Sequence, residues 1–196
     1  MNRKVQHVRF NDLVPCRTAF VDTHNPGAEG KENFTIIGGG VSESADQHVH
    51  ITDTPGFNIG AAGQPPRCRN SLHSHTTAEV FFVLKGTWRF FWGRYGTAGE
   101  FTAQEGDIFN IPTGIFRGFE NIGTDYGMIM AVLGGDDAGG GVTWAPQVIE
   151  FGTAVSTTLT LKVQVSKLLL PSVAVAVIVC APTAKESPVA TAPPEA

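Results

Sequence analysis

Short apolar runs, each closed by glycine, proline or aspartate, constrain the fold of this chain most strongly. They recur from Asn33 to about Leu133, and most are separated by two to eight residues. Such spacing is typical of strands joined by hairpins and not of helices. The sequence therefore predicts an all-β sandwich or barrel. Its candidate strands are NFTIIG, HVHITD, FNIGAA, AEVFFVLKG, TWRFFWG, GEFTA, DIFNIP, FRGFENIG and YGMIMAVLG.

The composition changes abruptly after Phe151. We expect an N-terminal extension over residues 1–32, a barrel domain over 33–150 and a separate segment over 151–196. The stretch LGGDDAGGGVTWAP is interpreted as a flexible loop. The last segment is strand-like at first and then a Pro/Ala-rich tail that we expect to be disordered, so that removing residues from about Thr183 would leave stability unchanged. It is either an extra strand pair with a tail or a terminus foreign to the ancestral domain.

Charge and cysteine content narrow the class of protein. The net charge is −4 and no basic stripe is visible, so nucleic acid is not an expected partner. Three cysteines lie far apart without a Cys-x-x-Cys pair, which argues against a disulfide framework and suits a reducing compartment. The first residues lack the apolar core of a signal peptide, and the apolar run around Pro171 is too short to span a bilayer. We therefore expect a cytoplasmic protein without a membrane partner.

The stretch LHSHTTAEVFFVLKG contains the candidate metal ligands His73, His75 and Glu79. If this stretch is extended throughout, the three side chains share one face of a strand, because side chains alternate. Two imidazoles and a carboxylate suit iron(II) best, and can also bind manganese, zinc or nickel. A His-x-His pair alone is weak evidence, since polar surface strands often contain one.

Two motifs in this region resemble those of the cupin superfamily. The first is His73-x-His75-x3-Glu79-x6-Gly86, and the second is Gly106-x5-Pro112-x-Gly114 followed by Asn121. The resemblance implies a cupin-like double-stranded β-helix, that is, a small jelly-roll barrel. It also implies frequent dimer formation and a metal ion held inside the barrel.

Arg117 stands where the resemblance implies a fourth metal ligand, a histidine three residues after Gly114. Arginine offers only donors, and at about 4 Å it would be repelled by a divalent ion by about 8 kcal/mol at an effective dielectric near 20. Three arrangements are open. Arg117 reaches past a metal with three protein ligands to an anionic substrate, or it pairs with Glu79 in a metal-free barrel, or it lies on the rim near Glu120.

The leading hypothesis is a divalent-metal cupin that acts on a small organic anion, as a dioxygenase-like oxidoreductase. His73, His75 and Glu79 would then be the ligands, and Arg117 the catalytic residue that anchors the substrate's carboxylate or enolate. The alternative is a metal-free binding or structural cupin with a Glu79–Arg117 pair. Two further candidates are weaker. His48 and His50 share a face of one strand, and Trp88, Phe90 and Trp92 alternate along another, where core packing is the ordinary role.

Overall fold

The computed structural model describes residues 5–54, 56–136 and 141–149, all within the unit Met1–Leu159. The predictions for residues 151–196, including the tail from Thr183, lie outside the described residues. Two 3-10 helices, Phe10–Asp12 and Val21–His24, precede the first strand, and residues 146–149 are helical. No helix in the described part of the chain has the length and apolar character needed to cross a membrane.

Eleven strands within these residues form two sheets that enclose a barrel. One sheet has the order β2-β1-β3-β10-β5-β8 and the other β11-β4-β9-β6-β7. This arrangement confirms the predicted all-β jelly roll. The strands are β1 (Glu32–Ile37), β2 (Val49–Ile51), β3 (Phe57–Gln64), β4 (Arg69–Ser74), β5 (Glu79–Lys85), β6 (Thr87–Trp92), β7 (Gly99–Gln104), β8 (Ile108–Ile111), β9 (Arg117–Asn121), β10 (Gly127–Gly134) and β11 (Thr143–Trp144).

Two of these strands differ from the sequence-based expectations. β4 is absent from the predicted strands because its residues, RNSLHS, are mostly polar. The loop interpretation of LGGDDAGGGVTWAP is wrong at Thr143 and Trp144, which pair with Ser74 and His73 of β4. The strand could not be predicted from the sequence, because it follows a run of glycines. Its two residues are also too few to show an alternation of apolar and polar side chains.

Aromatic side chains fill the barrel core between the two sheets. Phe81, Trp88, Phe90 and Phe119 are buried against one another, with ring centroids 5.1–5.9 Å apart in the contacting pairs. Trp88 also donates from Nε1 to the carbonyl of Lys85 at 2.9 Å, so its one polar group is satisfied. Trp88 and Phe90 are therefore core residues and not a stacking surface for a substrate.

The segment before β1 packs onto the barrel. Ala19 and Ala28 are buried, and the backbone of Cys16 exchanges two hydrogen bonds with that of Asn33. Phe20 packs edge-on against Trp144, which follows the glycine loop in sequence. Two thiols are enclosed on this side of the molecule, those of Cys16 and Cys68, and both are free.

A buried ion pair lies beneath the same segment. Lys31 and Asp22 are in direct contact, and each is almost fully enclosed. Lys31 also donates to Asn70 Oδ1 at 2.8 Å, and Asp22 accepts from the amide of Ser71 at 2.9 Å. Burial lowers the pKa of Lys31, although the carboxylate of Asp22 opposes that effect. The N-terminal segment is thus hydrogen-bonded to β4, the strand that contains His73.

Candidate functional site

His73, His75 and Glu79 lie together in the barrel, but they do not lie on one strand. β4 ends at Ser74, the chain turns over residues 75–78, and β5 begins at Glu79 in the opposite sheet. The assumption of one extended stretch was therefore wrong. The side chains converge because the chain crosses from one sheet to the other between the histidines and the glutamate. All three are buried, with exposures of 3–5%.

Arg117 is the first residue of β9 and lies opposite His73 in the β4–β9 ladder. Only 2% of it is exposed. Its Nη2 donates to Glu79 Oε2, and its Nη1 donates to the carbonyl of His73 at 3.2 Å. Glu120 pairs with Arg89 at 2.7 Å, so the rim arrangement for Arg117 is not the one found. The contact with Glu79 corresponds to the second arrangement expected from the sequence.

The tautomer of His73 follows from its surroundings. Its Nδ1 lies 2.7 Å from the carbonyl oxygen of Ser71, which can only accept, so Nδ1 carries the proton. The amide nitrogen of Asn70, 3.5 Å away, is then a neighbour without a hydrogen bond to that atom. Burial, and next the charge of Arg117, lowers the pKa of His73 well below its usual value. His73 is therefore neutral, with a lone pair on Nε2.

Opposing influences act on Glu79. Burial alone would raise the pKa of its carboxyl group, but the hydrogen bond from His75 and the charge of Arg117 outweigh burial and lower it. His75 Nε2 lies 3.5 Å from Glu79 Oε1, and His75 Nδ1 lies 3.4 Å from the carbonyl oxygen of Gly141. Glu79 is thus an ionised carboxylate, and both ring nitrogens of His75 face protein oxygens.

These groups border a cavity between the two sheets. Its volume is about 60 Å³. The polar residues of its wall are His73, His75, Glu79, Asn33, Thr35 and Asn70, while most of the remainder is apolar. Arg117 lies behind Glu79 and is not among the described residues that line the cavity. Chemically, the wall combines two acceptors, the Glu79 carboxylate and His73 Nε2, with the side-chain amides of Asn33 and Asn70, which can also donate.

Sequence reasoning missed three polar residues of this wall, Asn33, Thr35 and Asn70, and the two residues that support Asn70. Asn70 lines the cavity, and Lys31 and Asp22 hold it from behind. Their signal in the sequence is faint, because a lone lysine and aspartate in a polar segment usually lie on the surface. Burial of both is visible only in three dimensions.

The histidine pair at the start of β2, with His50 in the strand and His48 just before it, takes no part in this site. His50 donates from Nδ1 to the carbonyl of Thr35 at 2.7 Å and accepts at Nε2 from the amide of Val14 at 2.9 Å. The ring of His48 packs edge-on against it, with centroids 4.5 Å apart. Neither residue borders the cavity. His50 therefore serves to join the N-terminal segment to the first sheet.

The metal ion expected from the sequence can be tested against these contacts. The Nδ1 atoms of both histidines face backbone carbonyls, which would leave Nε2 for a metal, as in many metal sites. Against this, the carboxylate of Glu79 is already paired with the guanidinium of Arg117. Among residues 5–54, 56–136 and 141–149, no three His, Cys, Asp or Glu side chains lie close enough to hold one ion. As placed, the side chains do not fit a divalent metal.

Comparison with known proteins adds the family. Residues 63–133 match the cupin domain family. No curated protein matches this chain. Among solved structures, the Lactobacillus farciminis oxalate decarboxylase formate complex is 21% identical, over 64% of this chain and 32% of that chain, with a TM-score of 0.46. Vicilin of Corylus avellana (hazelnut) is 24% identical, over 45% of this chain and 24% of that chain, with a TM-score of 0.39.

The Schizosaccharomyces pombe Cnp3 cupin domain is 20% identical, over 44% of this chain and 61% of that chain, with a TM-score of 0.38. This chain therefore spans less than two thirds of the length of each of these three proteins. The family match includes both histidines, Glu79, Arg117 and the glycine and proline positions of the two motifs. Residues 63–133 form a cupin domain.

Proposed function

We propose that this cupin domain binds a small organic molecule in its barrel without a resident metal ion. The observation that carries the proposal is the ion pair between Glu79 and Arg117, both of which are buried. The guanidinium supplies the positive charge that the carboxylate needs, and it comes from the position where the resemblance implies a metal-ligating histidine. His73, His75 and Glu79 then serve as the polar wall of the cavity.

The geometry of the pair supports a permanent role for Arg117. Its two Nη atoms donate to Glu79 and to the carbonyl of His73, so the side chain bridges the two sheets. Charge-assisted hydrogen bonds of this kind are short and directional. Removing one member would leave the other charge buried and uncompensated, which is strongly unfavourable.

Metal content is the direct test of this proposal. Protein purified without chelator should contain far less than one equivalent of iron, manganese, zinc or nickel by elemental analysis. Adding any of these ions should leave the melting temperature unchanged, because an ion that binds only the folded state raises it. Arg117→His, which places an imidazole at this position, should gain metal binding. One equivalent of metal in the wild type would overturn the proposal.

The second candidate is the metal-dependent, dioxygenase-like enzyme that the sequence suggested. It is favoured by one observation, the Nδ1 contacts of His73 and His75 with backbone carbonyls. They leave His73 Nε2 for a ligand, and His75 Nε2 as well once it gives up its contact with Glu79 Oε1. For this function, Arg117 would have to give up its contact with Glu79. Alternatively, it would bind Oε2 alone and leave Oε1 for the metal ion. The same elemental analysis separates it from the first candidate.

A further inference from the structure

The charge of the cavity wall points to a class of ligand. Glu79 is the one formally charged acid or base among the described residues that line the cavity, since no lysine or arginine borders it. The two nearest buried cations are already engaged. Arg117 donates to Glu79 and to a carbonyl, and Lys31 contacts Asp22 and Asn70.

The neutral polar groups of the wall add few donors for an anion. Both ring nitrogens of His75 face protein oxygens, and His73 uses its Nδ1 proton on Ser71. The hydroxyl of Thr35 donates to Gln47 Oε1 at 2.8 Å. What remains are two acceptors, the carboxylate of Glu79 and the lone pair on His73 Nε2, and the side-chain NH2 groups of Asn33 and Asn70. These two amides are neutral donors and bring no positive charge to balance an anion.

The size and polarity of the cavity limit the ligand further. A volume of about 60 Å³ admits only a ligand of a few non-hydrogen atoms. Much of the remaining wall is apolar, including Phe34, Ile129, Leu133 and Trp144. A ligand with a compact hydrocarbon body and one polar group matches this lining.

We propose that the cavity selects a small, uncharged or cationic molecule with an apolar body and a hydrogen-bond donor, such as an alcohol or amine, and disfavours carboxylates. This inference rests on the proposed function, because a divalent ion at the same wall would attract anions. It differs from the anionic substrate expected from the sequence in the sign of the charge that the wall prefers.

Three probes with the same carbon skeleton test this selectivity: isobutanol, isobutylammonium and isobutyrate. Each is titrated into the full chain at neutral pH, and binding is followed by ligand-observed NMR. For so few atoms we expect dissociation constants near ~1 mM for the alcohol and the ammonium. Isobutyrate should bind at least about tenfold more weakly, because the carboxylate of Glu79, and not its partner Arg117, faces the ligand, and like charges repel strongly away from water. Equal or tighter binding of isobutyrate, or no binding of any probe, would overturn the inference.

Two variants assign the effect to Glu79. Glu79→Gln keeps the shape but removes the charge and frees Arg117, so the ratio of isobutyrate to isobutanol affinity should rise at least about tenfold. An unchanged ratio in folded Glu79→Gln protein would overturn the role of this residue. Ala131→Val narrows the apolar wall and is the matched control; it should weaken all three probes and leave their ratios unchanged.

Elemental analysis of the same samples separates the two proposals. If isobutyrate binds best and the protein contains one equivalent of metal, the proposed metal-free function has failed. If isobutyrate binds best to metal-free protein, the metal-free function stands and the inferred ligand class alone is wrong.

Discussion

Arg117 connects the two sheets through Glu79 on β5 and the carbonyl of His73 on β4. Arg117→Ala would leave the Glu79 carboxylate buried without its partner. We expect the free energy of unfolding to fall by about 3–5 kcal/mol, as for other buried ion pairs that lose one member. Urea unfolding of the purified variant measures this loss.

A paired change is the control for that experiment. In Glu79→Gln/Arg117→Met neither charge remains, so we expect the double variant to be more stable than Arg117→Ala by about 2 kcal/mol or more. A double variant as unstable as the single one would show that the arginine acts through packing and not through its charge.

The neutral state of His73 gives the protein a predictable response to pH. Because burial lowers the pKa of His73, its imidazole binds a proton near pH 6.5 in the unfolded chain but stays neutral at that pH in the folded chain. Stability is therefore complete above that pH and falls as the pH falls, by up to about 1.4 kcal/mol per pH unit, until the folded-state pKa is reached. In His73→Gln, the free energy of unfolding should depend less on pH between about pH 7 and 5 than it does in the wild type.

The choice of pH range keeps Glu79 out of this measurement. Its lowered pKa contributes stability that is present above the unfolded value of 4.5 and is lost only below it. His24→Gln, at an exposed histidine, is the matched control and should leave the pH dependence unchanged. A wild-type protein equally stable at both ends of the range would contradict the neutral, buried state of His73.

At the scale of elements, β9 must approach β4 closely for Arg117 to reach the site. Gly118 makes this approach possible, since a Cβ there would lie 2.6 Å from ring atoms of Phe91 and 2.8 Å from the carbonyl oxygen of Asn70. Gly118→Ala should destabilise the protein by about 1–3 kcal/mol, the usual cost of an overpacked core. Chemical denaturation tests it, with Gly39→Ala as the control, because nothing lies within 4 Å of a Cβ at Gly39.

The strands that carry their own alternation were predictable, and those that depend on their neighbours were not. Phe81 and Val83 predict β5 from the sequence alone, because apolar residues at every second position are typical of a strand that faces the core. β11 has two residues, and its identity as a strand depends on its pairing with β4. The turn at residues 75–78 was missed for a similar reason, since Thr76 and Thr77 suit a strand as well as a turn.

Prediction of the site was limited in the same way. The residue types and motif spacing indicated His73, His75 and Glu79 as a group. The direction of Arg117 could not be predicted, because the turn at Thr113 and Gly114 resets the strand register. It is the ladder between β4 and β9, a long-range pairing, that directs the guanidinium inward.

For the whole molecule, the N-terminal segment divides into an exposed part and a packed part. Residues 5–12 are mostly exposed, whereas Ala19, Asp22, Ala28 and Lys31 are buried. Deleting residues 1–12 should change the free energy of unfolding by less than about 1 kcal/mol. Deleting residues 1–31 should cost more than about 5 kcal/mol and leave the chain largely unfolded. Circular dichroism during thermal unfolding compares the two, and equal stability would contradict the packed role.

The two enclosed thiols give the molecule a built-in reporter of its own opening. Burial raises the pKa of Cys68 to about 11, and only the thiolate reacts with alkylating reagents. The folded state therefore protects Cys68 both by enclosure and by protonation, so modification proceeds through transient exposure. With Cys180 replaced by serine, the rate of alkylation under native conditions measures local opening. The opening in question is the transient separation of the N-terminal segment from β4. Slow modification at neutral pH, and faster modification in Gly118→Ala, would show that the close packing of β9 against β4 limits this local opening.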